Sequence, residues 1–150
     1  MSFVRLEWND LFVRLAETIS KRSNCIRRKV GAIIVDEMKQ VISIGFNGTP
    51  SGTTNCFEGG CERCNSTEVR AGISLDTCTC IHAEVNAVIQ AGKSRCKNCI
   101  LYCTDQPCLN CLKMIIQAGI KEIIYVREYP THAYIYNRLL EESQIKIRQI

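Results

Sequence analysis

Leu6, Leu11, Val13, Leu15 and Ile19 recur at near-helical spacing, which predicts a first amphipathic helix over residues 4–22. Two β-branched runs follow, Val30–Val35 and Val41–Phe46. The polar stretch Asp36–Gln40 between them predicts a hairpin. Asn47-Gly48-Thr49-Pro50-Ser51-Gly52 is turn chemistry. Beyond it, residues 47–80 show no periodicity, and a structureless segment of that length is uncommon in a compact domain unless it has work to do. Regular patterns then resume. Helices are predicted over 82–91, closed by Gly92, over Cys108–Ala118, closed by Gly119, and over Ala133–Glu142. Strands are predicted at Ile100–Cys103, Glu122–Val126 and Ile145–Arg148. Helices alternating with strands in this half imply an α/β layer fold with parallel pairing there. No repeat, linker or low-complexity tract divides the chain, so residues 1–150 read as one domain.

Composition changes this picture at one residue type. The chain has 46% hydrophobic and 23% charged residues, which is ordinary globular usage and excludes disorder as the dominant state. No apolar run is long enough for a transmembrane helix, and no signal peptide is visible, so a cytoplasmic protein (host cytoplasm if the source is viral) is expected. The net charge of +4 is mild. Cysteine is the outlier, with eleven residues against two histidines. An odd count without a secretion signal argues against a disulfide framework and leaves reduced thiols free to bind metal.

The strongest chemical signal is His82-Ala83-Glu84 followed, after 25 intervening residues from His82, by Cys108 in Pro107-Cys108-Leu109-Asn110-Cys111. Zinc takes imidazole and thiolate ligands in tetrahedral geometry, and three protein ligands leave one position open for water. Cys108 and Cys111 lie three apart on one helix face, and the helix N-terminus favours their ionised form. His82 would be the third ligand. Glu84 would be the proton shuttle, but two residues apart means roughly 200° of rotation on a helix. The two side chains therefore converge only if His82 sits at the helix start. The pattern is the zinc deaminase signature, in which the Glu is a general acid/base and not a ligand.

The chain resembles the cytidine deaminase superfamily and, within it, the deoxycytidylate (dCMP) deaminases. The likeness is carried by Val30-Gly31-Ala32, Gly45–Gly52, His82–Ala87, Pro107–Cys111 and Ile116–Lys121. It implies a three-layer α/β fold, a mixed five-stranded sheet flanked by helices, with a cysteine-rich zinc-binding insertion at about 53–80. It implies zinc on His82, Cys108 and Cys111, attack of its hydroxide on C4 of cytosine, and Glu84 moving protons to N3 and then to the leaving ammonia. The product would be dUMP, feeding thymidylate synthesis. Asn47 would contact the substrate sugar and Arg27 a nucleotide phosphate. A homo-oligomer, a hexamer by preference, is implied, as are dCTP and dTTP as effectors with Mg accompanying the nucleotide. Phe46 stands where the regulated version of the loop has Tyr, so a hydroxyl contact is lost.

The remaining thiols suggest a second metal site. Cys61-x-x-Cys64 and Cys78-x-Cys80 have knuckle-like spacing. Relatives are similar in placing a structural zinc near the positions of Cys25 and Cys56. Six thiols exceed one tetrahedral site, so either one zinc takes four or two zincs share six. Cys96 and Cys99, in a basic loop, read as idle or redox-sensitive thiols, and Cys103 as core. Lys21, Arg22, Arg27, Arg28 and Lys29 gather five cations in nine positions, suited to a phosphate or to plain solvation. Tyr129 and His132 follow a strand C-terminus, where α/β sheets bind ligands. Two rival readings stand beside the dCMP one. One is another zinc deaminase acting on free cytidine, guanine or tRNA adenosine. The other is a non-catalytic zinc module that binds nucleic acid. Neither a membrane nor a nucleic-acid partner is expected under the main reading.

Overall fold

The computed structural model describes residues 3–150. Its elements run α1 (Trp8–Ser20), β1 (Gly31–Val35), β2 (Val41–Phe46), α2 (Glu62–Asn65), α3 (Ala83–Ala91), α4 (Lys93–Cys96), β3 (Ile100–Asp105), α5 (Leu109–Ala118), β4 (Glu122–Arg127), α6 (Ala133–Ser143) and β5 (Lys146–Gln149). The expected long helices and all five strands form. α1 starts four residues later than its periodicity suggests, because Glu7 is extended (φ −66°, ψ 151°) and residues 3–6 stay exposed. The one-turn helices α2 and α4 are too short to produce a period, which is why the pattern missed them.

The strands form one sheet in the order β2-β1-β3-β4-β5. β1 pairs antiparallel with β2 and with β3, and β3, β4 and β5 are mutually parallel. This is the expected mixed five-stranded sheet. The hairpin turn is held by Asp36, whose Oδ1 accepts from the amides of Met38 and Gln40.

β1 is buried along its whole length because both faces of the sheet are covered. On one face α1 contributes Phe12 and Ala16, packed on Ile33, Val35, Tyr102 and Ile124. On the other, α3, α5 and α6 pack Ala83, Ala87, Leu112, Ile115 and Tyr136 on Ile34, Leu101, Cys103 and Ile123. Successive strand residues point to opposite faces, so one apolar run serves both layers. Cys96, Cys99 and Cys103 all belong to the second cluster. Burial pushes each of these thiols up, and Cys99 donates to the Arg95 carbonyl. The redox-sensitive reading of Cys96 and Cys99 is therefore corrected: they are core residues with little thiolate character.

Among the described residues no helix is long and apolar enough to cross a membrane.

Candidate active site

Two helix N-termini meet at the end of the sheet where β3 leaves it. His82 is the N-cap of α3, with extended backbone (φ −71°, ψ 152°), so it sits outside the helical rotation. That is the condition the sequence imposed for His82 and Glu84 to converge. Cys108 is the N-cap of α5 (φ −69°, ψ 169°), one residue before the predicted helix becomes regular, and Cys111 lies in its first turn. His82 Nδ1 is 3.6 Å from Cys108 Sγ and 3.3 Å from Cys111 Sγ. Zinc–nitrogen and zinc–sulfur bonds at a tetrahedral angle would separate N from S by about 3.5 Å, so the three donors already stand at ligand spacing.

The protonation pattern points the same way. The hydrogen bond with Cys111, and then that with His82, holds the Cys108 thiol down at about 4. The contact with Cys108, together with burial, pushes Cys111 up. Two neighbouring thiols thus share their protons unevenly, and a divalent cation satisfies both as thiolates. The donor set fits zinc with one coordination position open. Both helix dipoles add positive potential at the same point.

Glu84 is in the first turn of α3 and only 3% exposed. Burial raises its carboxyl to about 7, partly offset by its own amide and by His82. It is not among the three grouped ligand atoms. A buried carboxyl that ionises near neutrality can both accept and release a proton.

Further contacts join this end of the sheet to other elements. Tyr136 of α6, buried, donates its hydroxyl to the Pro107 carbonyl at 2.9 Å and so fixes the turn before Cys108. Asp105, at the end of β3, is buried and accepts from Arg127 Nε and from Thr104. Arg28 stands 3.8 Å from the same carboxylate, and its guanidinium lies 4.5 Å above the Tyr129 ring. No local signal could have found the Tyr136–Pro107, Arg127–Asp105 and Arg28–Tyr129 pairs, since each joins distant parts of the chain.

The other candidates separate. Arg27 does not face a phosphate. Its guanidinium donates to the backbone carbonyls of Cys64, Val69, Arg63 and Ser66, so it is a strut of the cysteine-rich insertion. Asn47 is buried, donating Nδ2 to the Arg28 carbonyl and accepting from the Val30 amide, which pins the end of β2 beside β1. Gly48 pairs with Ile81 in an isolated bridge, tying that loop to the segment entering α3. Tyr129 is half-buried under Arg28. His132 is the exposed N-cap of α6 and makes no side-chain capping bond.

Cys25, Cys56, Cys61, Cys64, Cys78 and Cys80 gather into one cluster. Every one of the six expected structural thiols is present in it.

Residues 6–127 match the family described as the cytidine and deoxycytidylate deaminase zinc-binding region. The chain belongs to this family. It is 46% identical over 146 residues to a deoxycytidylate deaminase of Schizosaccharomyces pombe, covering 97% of this chain and 44% of the relative. It is 33% identical over 129 residues to the deoxycytidylate deaminase of Mycobacterium phage D29, covering 83% of this chain and 98% of that one. The chain spans about half the length of the yeast relatives it matches. The crystal structure of the dCMP deaminase from cyanophage S-TIM5 in complex with dCMP and dUMP superposes with a TM-score of 0.73 at 34% identity, over 99% of this chain and all of that one. His82, Glu84, Cys108 and Cys111 all lie within the residues that match this zinc-binding region.

Proposed function

We propose that the chain is a zinc-dependent hydrolytic deaminase that converts dCMP and water to dUMP and ammonia. The observation that carries this reading is the three-ligand set at zinc spacing with a buried Glu84 beside it. The likeness over the full length of a phage enzyme crystallised with dCMP and dUMP supports the choice of substrate. Zinc on His82, Cys108 and Cys111 would act as a Lewis acid on the attacking water. The Glu84 carboxylate takes the proton that the attacking water loses and passes it to ring N3; it then takes the proton of the new C4 hydroxyl and delivers it to the amino group, which leaves as ammonia as the C4 carbonyl forms. Burial keeps bulk water from levelling its basicity.

The phosphate end is assigned to Arg28, in place of Arg27. Its side chain is 45% exposed and its guanidinium is stacked on Tyr129, which leaves its edge for paired hydrogen bonds to a phosphate. Arg28→Ala is expected to raise KM for dCMP about 10–100-fold with kcat nearly unchanged, the worth of a charge-assisted contact. Arg27→Ala is expected to leave KM in place and to lower zinc retention and melting temperature instead. Steady-state kinetics and metal analysis of the two variants check both halves. Equal KM effects would return the phosphate contact to Arg27.

Ultraviolet loss of the cytosine chromophore tests the substrate. Turnover of dCMP is expected, with dCTP, cytidine and deoxycytidine left untouched. Turnover of the nucleosides would keep the chemistry and overturn the substrate. Runs with added dCTP and dTTP test the effector control implied by the Gly45–Gly52 loop. Self-association is part of this reading through the family resemblance. Sedimentation then reads its order.

A further inference from the structure

We propose that Cys25, Cys56, Cys61, Cys64, Cys78 and Cys80 hold two zinc ions in a single six-thiolate cluster, with Cys64 and Cys80 as the bridging ligands. The inference does not depend on which nucleotide the active site accepts.

Its basis is that the six thiols fall into two tetrads, not one. Cys25, Cys56, Cys64 and Cys80 form the first, and Cys61, Cys64, Cys78 and Cys80 the second. Within each tetrad all sulfurs lie within 4.8 Å of one another, and two residues, Cys64 and Cys80, are common to both. A zinc ion bonded to four sulfurs at about 2.3 Å sets the sulfurs about 3.8 Å apart. Cys25 and Cys64 are 3.9 Å apart, an edge of the first tetrad. Cys61 and Cys78, and Cys64 and Cys78, are each 3.8 Å apart, two edges of the second. These three edges, one in the first tetrad and two in the second, have the length of a filled tetrahedron, and the other edges lie within 4.8 Å. Two tetrahedra that share an edge have six vertices, and six thiols are what the chain supplies.

The packing argues against two of the thiols being ordinary core residues. Among the described residues the buried hydrophobic members of this cluster are all cysteines, and the partly buried hydrophobic residue packed against them is Cys78. Of the large apolar side chains of the insertion, Phe57, Ile73 and Leu75 are exposed and Val69 is half-buried. Little hydrocarbon core closes residues 53–80, and beside the hydrogen bonds of Arg27, Arg63 and Asn65 metal ligation would supply the free energy that orders the insertion. One zinc on the first tetrad would leave the Cys61 and Cys78 thiols without a metal, although each stands at ligand distance from another sulfur of the second tetrad. Six thiolates and two divalent cations leave two net negative charges. Two cations stand in the same segment, Arg27 and Arg63, which donate to the carbonyls of Cys64 and Ile73.

The cluster also supports the catalytic site. Cys80 lies two residues before His82, and Ile81 between them is bridged to Gly48. Asn24, next to Cys25, accepts from the Thr49 amide and donates to the Asn55 side chain. The bridging ligand Cys80 thus fixes the strand from which the zinc-binding imidazole projects.

Two measurements on the full chain test the proposal, and neither reads activity. Native mass spectrometry is expected to give three zinc ions per chain, one at His82–Cys108–Cys111 and two in the cluster. The Cys61→Ser, Cys78→Ser double variant keeps the first tetrad whole and is expected to give two. Exchange with cadmium-113 is expected to give two cluster resonances split by each other through the shared sulfurs, and a third, unsplit one. Two zincs in the parent chain, with Cys61 and Cys78 alkylated by iodoacetamide in the native state, would overturn the second ion. Three zincs with no mutual splitting would overturn the bridging. A chain with one zinc and oxidised cluster thiols would overturn both.

Discussion

Glu84→Gln is expected to slow deamination of dCMP by about 10²–10⁴-fold while zinc content stays at the parental value. Glu84 is buried at the first turn of α3 and lies outside the set of grouped ligand atoms. An amide of nearly the same shape fills the same space, so the packing around Ala83 and Ala87 is kept. What the amide cannot do is exchange a proton near neutral pH, which the carboxyl, raised to about 7 by burial, can. Replacing an ionisable buried group by a neutral one also removes a desolvation cost, so the melting temperature is expected to hold or rise. Cys108→Ala contrasts with it, because that change removes a ligand and is expected to lose metal and rate together. Rate assays beside metal analysis separate the two cases. A Glu84→Gln enzyme of parental rate would defeat the acid/base assignment, and with it the reason for preferring an enzyme to a zinc-binding module.

The chemistry of this site was largely legible in the sequence because its ligands are locally arranged. Pro107-Cys108-x-x-Cys111 places two thiols at one helix start by spacing alone, and His82-x-Glu84 gave a geometric condition that the N-cap position of His82 meets. The alternation of strands and helices after residue 80 likewise carried the parallel half of the sheet. What periodicity could not carry were choices between neighbours and contacts across the fold. Arg27 and Arg28 are adjacent and chemically alike, yet one turns to four carbonyls of the insertion and the other to Tyr129 and Asp105. That choice is made by where residues 63–69 return to the chain near residue 27, and composition is silent on it. Tyr136 reached Pro107 from 29 residues away and looked like any apolar position of an amphipathic helix. The division of six thiols into two overlapping tetrads is a property of their positions in space, and equal spacings in sequence would have allowed several others.

Gly45→Ala is expected to damage stability and catalysis at once, through a side chain that touches neither substrate nor metal. Gly45 lies on β2 directly under α3. A Cβ there would collide with the Ala83 carbonyl oxygen, with the Ala87 amide nitrogen at 2.6 Å and with the Ala87 Cα at 3.1 Å. These are backbone atoms of a helix and cannot swing aside. The same interface is held by Ser43 donating to the Ala87 carbonyl, the Ile44 amide donating to Gln90 Oε1, and Asn86 donating to the Phe46 carbonyl. An added methyl therefore forces α3 away from the sheet against three hydrogen bonds. Overpacking of this kind costs about 1–3 kcal/mol. In a domain of this size each kcal/mol lowers the melting temperature by about 2–4 °C. Catalysis should suffer more than stability. The displaced turn carries His82 as its cap and Glu84 in its first turn, and a misplacement of about 1 Å in a catalytic group can cost about 10²-fold in rate. Thermal melts and kcat at a temperature where the variant is fully folded check both effects. Val41→Ala, at an exposed position of the same strand, is the control and should change neither. A Gly45→Ala enzyme with parental melting temperature and kcat would mean that the close seat of α3 on β2 does not set the position of the catalytic pair.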